Sequence, residues 1–159
     1  MEFTLQTMLN KRISSYLLLI SLALLLLGCS RSQLTEAKLP TVTINNHTWQ
    51  VELADTPEKQ YLGLSNRADL CDNCGMLFDF NPPIQPSFVM RQMNFPLDIV
   101  WIAENRVVAI DENLQPQSLD QLTRYTPPVA VDYVLELNAG EVKRVGVKEG
   151  DEVTLISNY

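Results

Sequence analysis

Apolar and polar residues alternate with a period of two in several short runs between Thr41 and Ile156, the pattern of strands with one face buried. Thr41–Ile44 and Thr48–Ala54 flank Asn45-Asn46-His47. Because Asn tolerates positive φ at a turn, this predicts a β-hairpin. Asp55-Thr-Pro-Glu58 reads as a helix start, with Pro57 at the first helical position and Asp55 and Glu58 at capping-box spacing. The helix is expected to run to about Leu64. Further strands are predicted at Met76–Phe80, Ser87–Met93, Leu97–Ala103, Arg106–Ile110, Tyr133–Leu137 and Glu152–Ile156, with Glu104-Asn105 as a tight turn. Val107-Val108-Ala109-Ile110 is apolar on both faces, as an interior strand would be. Glu112–Pro128 is polar, holds three prolines and predicts a long loop. Short, regularly spaced strands with one or two short helices predict a single mainly β domain over residues 41–159, either a β-sandwich of jelly-roll type or a distorted barrel.

The first 40 residues follow a different pattern. Lys11 and Arg12 precede a nearly unbroken apolar run from Tyr16 to Leu27, which ends at Leu26-Leu27-Gly28-Cys29. A positive flank, a short apolar core and small residues at its end are the layout of a secretory signal. The uncharged stretch Ile13–Gly28 is short for a spanning helix, which needs about 20 residues, although an uncleaved anchor helix is the alternative. Leu26-Leu27-Gly28-Cys29-Ser30 resembles the lipobox of bacterial lipoproteins, which implies that Cys29 becomes the acylated first residue of the mature chain. Several acyl chains on Cys29 would hold the protein stably on a membrane, where one chain binds only marginally. The expected organisation is a signal peptide at 1–28, a lipidated Cys and polar tether at 29–40, and the β-domain at 41–159. Ser30, standing where inner-membrane lipoproteins carry Asp, points to the outer membrane, facing the periplasm.

Composition changes meaning once the leader is set aside. The whole chain has 159 residues, 46% of them hydrophobic, and a formal charge of −7 from 12 basic and 19 acidic side chains. Without residues 1–28 there remain 10 basic against 18 acidic residues, a charge of −8. No Lys/Arg cluster is present to meet phosphates, so nucleic acid is not an expected partner. Attachment to a membrane would have to come through the anchor on Cys29, because an acidic domain is not drawn to anionic lipid.

Few residues could carry chemistry. His47 is the only histidine and lies beside the predicted hairpin turn, which leaves no two-His metal site and little room for a Ser/His/Asp or Cys/His arrangement. No phosphate-cradling Gly loop occurs. No metal and no cofactor is therefore expected. Cys71-Asp-Asn-Cys74-Gly could be a dithiol redox couple or a structural disulfide, and an oxidising compartment favours the disulfide. Carboxyl groups stand in apolar contexts at Asp98, within Phe95–Ile102, and at Glu136, within Tyr133–Leu137. A buried carboxyl needs a cation or several donors, and Arg67 and Arg91 are the candidate partners for Asp98.

Several ordered motifs together resemble the bacterial and archaeal family known as domain of unknown function 192. They are Gly63-Leu-Ser-Asn-Arg67, Gly75-Met-Leu-Phe78, Phe88–Ile99, Tyr125-Thr-Pro-Pro128, and Tyr133–Gly140 followed by Gly150-Asp151. The resemblance covers about Thr41 to the C-terminus and implies a compact, mainly β domain behind a signal peptide. The family motif residues carried over are Gly63, Arg67, Gly75, Met76, Phe78, Met90, Pro96, Asp98, Glu136 and Gly140. Two positions depart from the family pattern: Val89 replaces the usual Trp and Gln92 the usual Asn.

The favoured function on these grounds is a lipid-anchored binding or accessory module, with the balance against catalysis but the question open. An apolar cleft holding Arg67, Met76, Phe78, Met90, Gln92 and Asp98 would bind a small molecule or a carbohydrate. One alternative is an enzyme acting on carbohydrate or cell wall with Asp98 and Glu136 as a carboxylate pair, which requires the two groups roughly 5 to 9.5 Å apart across an open cleft. Another is thiol redox chemistry or partner binding through Cys71 and Cys74.

Overall fold

Seven strands form one sheet in the order β5-β4-β6-β3-β2-β1-β7 in a computed structural model that describes residues 39–156. The expected signal peptide, Cys29 and most of the tether lie outside the described residues. In chain order the elements are β1 (Thr41–Ile44), β2 (His47–Ala54), α1 (Pro57–Leu62), β3 (Cys74–Ile84), β4 (Leu97–Ala103), β5 (Arg106–Leu114), β6 (Val131–Asn138), α2 (Glu141–Val145) and β7 (Thr154–Ile156). Pairings are antiparallel except β2 with β3, which α1 connects as a crossover. The sheet curls until its two ends approach: Arg106 bridges Glu152, and Val107 exchanges backbone hydrogen bonds with Asp151 and Gly150. The mainly β single domain is thus a half-closed, curled sheet, nearer the distorted barrel than two stacked sheets.

Turn chemistry explains the hairpins. Asn45 and Asn46 take φ of 51° and 63°, and Glu104 and Asn105 take 49° and 59°, the left-handed pair that matches strand twist in a two-residue hairpin. The helix cap differs from expectation. Thr56, and not Asp55, accepts the Lys59 N–H through its side chain, while Asp55 pairs with the Lys59 ammonium at 2.7 Å. α1 also stops at Leu62, where Gly63 turns the chain with φ 52°.

Three other expectations are corrected. Ser87–Met93 forms no strand: Pro86 precedes it, Gln92 takes φ 54°, and only isolated bridges form, Phe88 to Tyr125 and Arg91 to Gln117. β5 runs on to Leu114, which shortens the expected loop. β5 is also at the edge of the strand order, not in its interior. Its residues are apolar on both faces because the sheet is covered on both: Val107 and Ile110 join one core, Val108 and Ala109 the other.

Those two cores are the main packing units. On one face Trp49, Val51, Leu77, Val100, Ile102, Leu135 and Leu137 pack under α2 and the 147–153 segment. On the other, Met76, Phe78, Ile99, Trp101 and Val134 pack under Leu64, Met90 and Leu114. β4 is buried on both sides along six of its seven residues, so it sits where the cores meet. Cys74, the first residue of β3, is bridged to Cys71, and Asn138 donates from its side-chain amide to the carbonyls of Leu70 and Cys71. The bridge and Asn138 together fix the chain entering β3.

A cavity over the buried Glu136

Register decides which carboxyl faces which core. In the β4–β6 ladder Asp98 stands opposite Leu137, and Ile99 opposite Glu136. Side chains directly opposite share a face, and neighbours along a strand do not. Asp98 therefore lies with Leu137 on the α2 face, and Glu136 lies with Ile99 on the other. The same row continues through Glu52, Met76, Glu136, Ile99 and Asp111 across five strands.

Asp98 is fully buried and is held by backbone donors: the Asn113 N–H to Oδ1 at 2.8 Å and the Val142 N–H to Oδ2 at 3.0 Å. Neither Arg67 nor Arg91 reaches it, so the expected Arg/Asp pair does not form. Arg67 instead makes a forked pair with Glu52 at 2.5 and 2.7 Å, which holds the Glu52 carboxylate below its ordinary range and raises the guanidinium. Met76 and Met90 are core residues. Gln92 contributes its carbonyl to the Asn66 N–H. Of the six residues expected in a cleft, only Phe78 lines the cavity that the structure contains.

That cavity, about 440 Å³, opens on the Glu136 side of the sheet. Its apolar walls are Tyr61, Leu62, Leu64, Phe78, Phe88, Val89, Met93 and Leu122; its polar groups are Gln60, Ser65, Ser87, Arg91, Arg124 and Glu136. Phe88 stands edge-on between Phe78 and Trp101, with ring centroids 4.8 and 5.4 Å away. This stack fixes the aromatic floor. Val89, where the resemblance leads one to expect Trp, lines the wall and leaves it smaller.

Glu136 is 7% exposed, and its Oε2 has no hydrogen-bond partner. Burial pushes its carboxyl up to about 8, against a downward pull from the Arg67 charge. Gly63 and Gly75 make room for it. A Cβ at Gly63 would come within 3.4 Å of the Phe78 ring and 4.0 Å of Glu136 Oε2, at a φ that side chains rarely adopt. One at Gly75 would fall 2.9 Å from the Glu136 backbone oxygen. Arg91 stacks over the Tyr61 ring at 4.1 Å and donates to the Tyr61 carbonyl at 2.6 Å, yet its Nε is buried without a partner. Among the described residues the Arg124 guanidinium reaches only the Ser87 hydroxyl, at 3.4 Å.

Sequence reasoning missed Gln60, Tyr61, Ser65, Ser87, Leu122 and Arg124, which lie on α1 and on irregular segments where no periodicity marks an inward side. Glu136 was visible as a carboxyl in an apolar strand, Phe78 as a cleft residue, and Arg91 only as a candidate partner for Asp98. His47, expected as a turn residue, opens β2, stacks edge-on against Trp49 and lies 3.1 Å from Arg144. Among the described residues no cluster of His, Cys, Asp and Glu is placed to hold a metal ion.

A small, curled β-sheet domain with a cavity over a buried carboxyl is the class these features define. The chain belongs to the domain of unknown function 192 family, described as "Uncharacterized ACR", whose model matches residues 40–155. It is similar to a protein of unknown function from Novosphingobium aromaticivorans DSM 12444, at 36% identity and a TM-score of 0.67, over 72% of this chain and 83% of that one. It is also similar, at 35% identity and a TM-score of 0.66, to a Sinorhizobium meliloti 1021 protein suggested to be a transcription regulator, over 73% of this chain and 91% of that one. No curated protein matches it significantly.

Proposed function

We propose that the domain is a small-molecule binding module of the cell envelope, its ligand seated in the cavity over Glu136. One observation carries this reading: two buried polar atoms without partners, Glu136 Oε2 and Arg91 Nε, belong to residues lining the same cavity. Folded proteins leave few such atoms, because each costs about 1–3 kcal/mol. A bound molecule that satisfies both explains why they are kept. The apolar walls would supply affinity and the polar groups orientation.

The carboxylate-pair enzyme has weaker support, since Glu136 is the one carboxyl lining the cavity and Asp98 faces the opposite core. Cys71 and Cys74 fit a structural bridge at the entry to β3 better than a redox couple. A transcriptional role is not carried over from the Sinorhizobium protein, because the acidic domain offers no basic cluster to DNA.

Export and anchoring complete the reading. The chain would be tethered by lipid on Cys29 and face the periplasm, supported by the leader pattern, the Leu-Leu-Gly-Cys motif and a Cys71–Cys74 bridge suited to an oxidising compartment. Purification from the native envelope followed by mass spectrometry tests both parts. Expected are acyl chains on Cys29 and a co-purifying small molecule that is lost from Glu136→Leu. An unacylated Cys29 contradicts the anchor. A wild-type protein that carries nothing, and binds nothing from an envelope extract, contradicts the binding module.

A further inference from the structure

The cavity is lined by two arginines and one buried carboxyl. The domain is strongly acidic, yet Arg91 and Arg124, both lining the cavity, form no ion pair among the described residues. Arg67, outside the cavity, has its carboxylate in Glu52. Among the described residues the two guanidiniums thus meet few protein acceptors for their ten N–H donors: Arg91 gives one hydrogen bond, to the Tyr61 carbonyl, and Arg124 one long one, to Ser87. Glu136 lies on the sheet side of the same space, and among the described residues no Lys or Arg lies within ion-pair distance of its carboxyl. Of the cavity's buried polar atoms, the two without partners are Arg91 Nε, a donor, and Glu136 Oε2, which is a donor as well when the carboxyl is uncharged, while Arg124 stands exposed at the rim. Such a site lacks an acceptor, and an oxyanion supplies one.

We propose that the ligand is a small organic anion, a carboxylate or a phosphate ester with an apolar or aromatic body. Its anionic group sits against the guanidiniums of Arg91 and Arg124, with Glu136 in its neutral form donating a hydrogen bond to it and the body packed on Phe78, Phe88 and Leu122. This rests on the binding reading above and adds the charge of the ligand. Planar forked guanidiniums suit both oxyanions, and the test separates the two. Arg67 is the charge that acts on Glu136, Arg91 and Arg124 line the same cavity, and Glu52 and Asp111 share its row of the sheet. Glu52 is neutralised by Arg67, and Asp111 accepts from the Trp101 indole N–H at 2.8 Å, so neither competes for the cavity arginines.

The probes are phenylacetate, phenyl phosphate, the neutral phenylacetamide and the cationic benzylamine, titrated into the folded domain at neutral pH and followed by amide NMR shifts. Saturable shifts at Phe78, Phe88 and Arg124 are expected from an anion, with phenylacetamide and benzylamine at least about tenfold weaker, as loss of a charged hydrogen-bond partner implies. The tighter of the two anions identifies carboxylate or phosphate. Arg124→Ala, an exposed position, should weaken the anion by about tenfold without altering the fold. In the wild type the anion's affinity should fall as pH rises through about 8, where Glu136 gains its charge, and Glu136→Gln, an uncharged donor, should bind with no such fall. Benzylamine or phenylacetamide binding as tightly as the anions overturns the anionic assignment and leaves the cavity as the binding site. Saturation by no probe, or shifts confined to residues outside the cavity, overturns both.

Discussion

Asp98 on β4 and Glu136 on β6 stand one rung apart on paired strands and project from opposite faces of the sheet. One is wholly satisfied by backbone N–H groups, and the other faces a cavity with an oxygen unsatisfied. Two similar side chains in similar apolar strands thus do different things: Asp98 ties β5 and α2 to β4, and Glu136 is held open.

Asp98→Ala leaves the Asn113 and Val142 N–H groups without acceptors in the core. A loss of about 2–5 kcal/mol is expected, measured by urea unfolding, because unmet buried donors each cost about 1–3 kcal/mol. Ligand binding to the protein that remains folded should be unchanged. A stability equal to wild type would show that Asp98 does not hold those segments.

Glu136→Leu should behave in the opposite sense, stabilising the domain or leaving it unchanged while abolishing binding. The replacement is of similar volume and removes a buried polar group that the apo fold does not satisfy. Thermal unfolding checks it, and a marked drop in melting temperature would make Glu136 a structural residue.

Wild-type stability should also fall with rising pH. Glu136 has a folded pKa raised to about 8 from 4.5, so the folded state binds the extra proton between those values. Unfolding free energy then decreases as pH rises across that window, by up to several kcal/mol, and levels off above it. Comparing urea midpoints of wild type and Glu136→Leu at matched pH isolates this contribution, since the other carboxyls are common to both. Parallel profiles would contradict a buried, neutral Glu136.

Gly75→Ala should cost about 1–3 kcal/mol, although Ala is ordinarily no worse than Gly in a strand. The added methyl would lie 2.9 Å from the Glu136 carbonyl oxygen and 3.0 Å from a Leu137 methyl, pushing β6 from β3. Chemical-shift changes should concentrate at Leu135–Leu137. Unchanged stability would mean that the sheet gives at that point.

Much of the fold is legible in the sequence because strands with one buried face write period-two alternation into β1 and β2, and strands buried on both faces write short apolar runs into β4 and β6. Where that signal fails, the cause is local. α2 spans five residues between Gly140 at φ 90° and Gly146 at φ 77°, too short to show a helical period. Ser87–Met93 alternates like a strand, yet Pro86 and the left-handed Gln92 leave it pairing only at isolated bridges. The site is less legible. Glu136 stands out in Tyr133–Leu137, but nothing local tells that it and Asp98, 38 positions apart, face opposite ways, since a single step of register would reverse the answer. Arg124 lies in an irregular segment, and only the folded chain brings it to the cavity.

A carbon-13 titration of the Glu136 side-chain carboxyl, in the free protein and with saturating phenylacetate, tests the site most directly. A midpoint near 8 in the free protein is expected, moved upward by the ligand, because an anion bound against the neutral carboxyl opposes its ionisation. A free-protein midpoint near the ordinary 4.5, or one that bound ligand leaves in place or lowers, would contradict the cavity over Glu136 as the binding site of an anion.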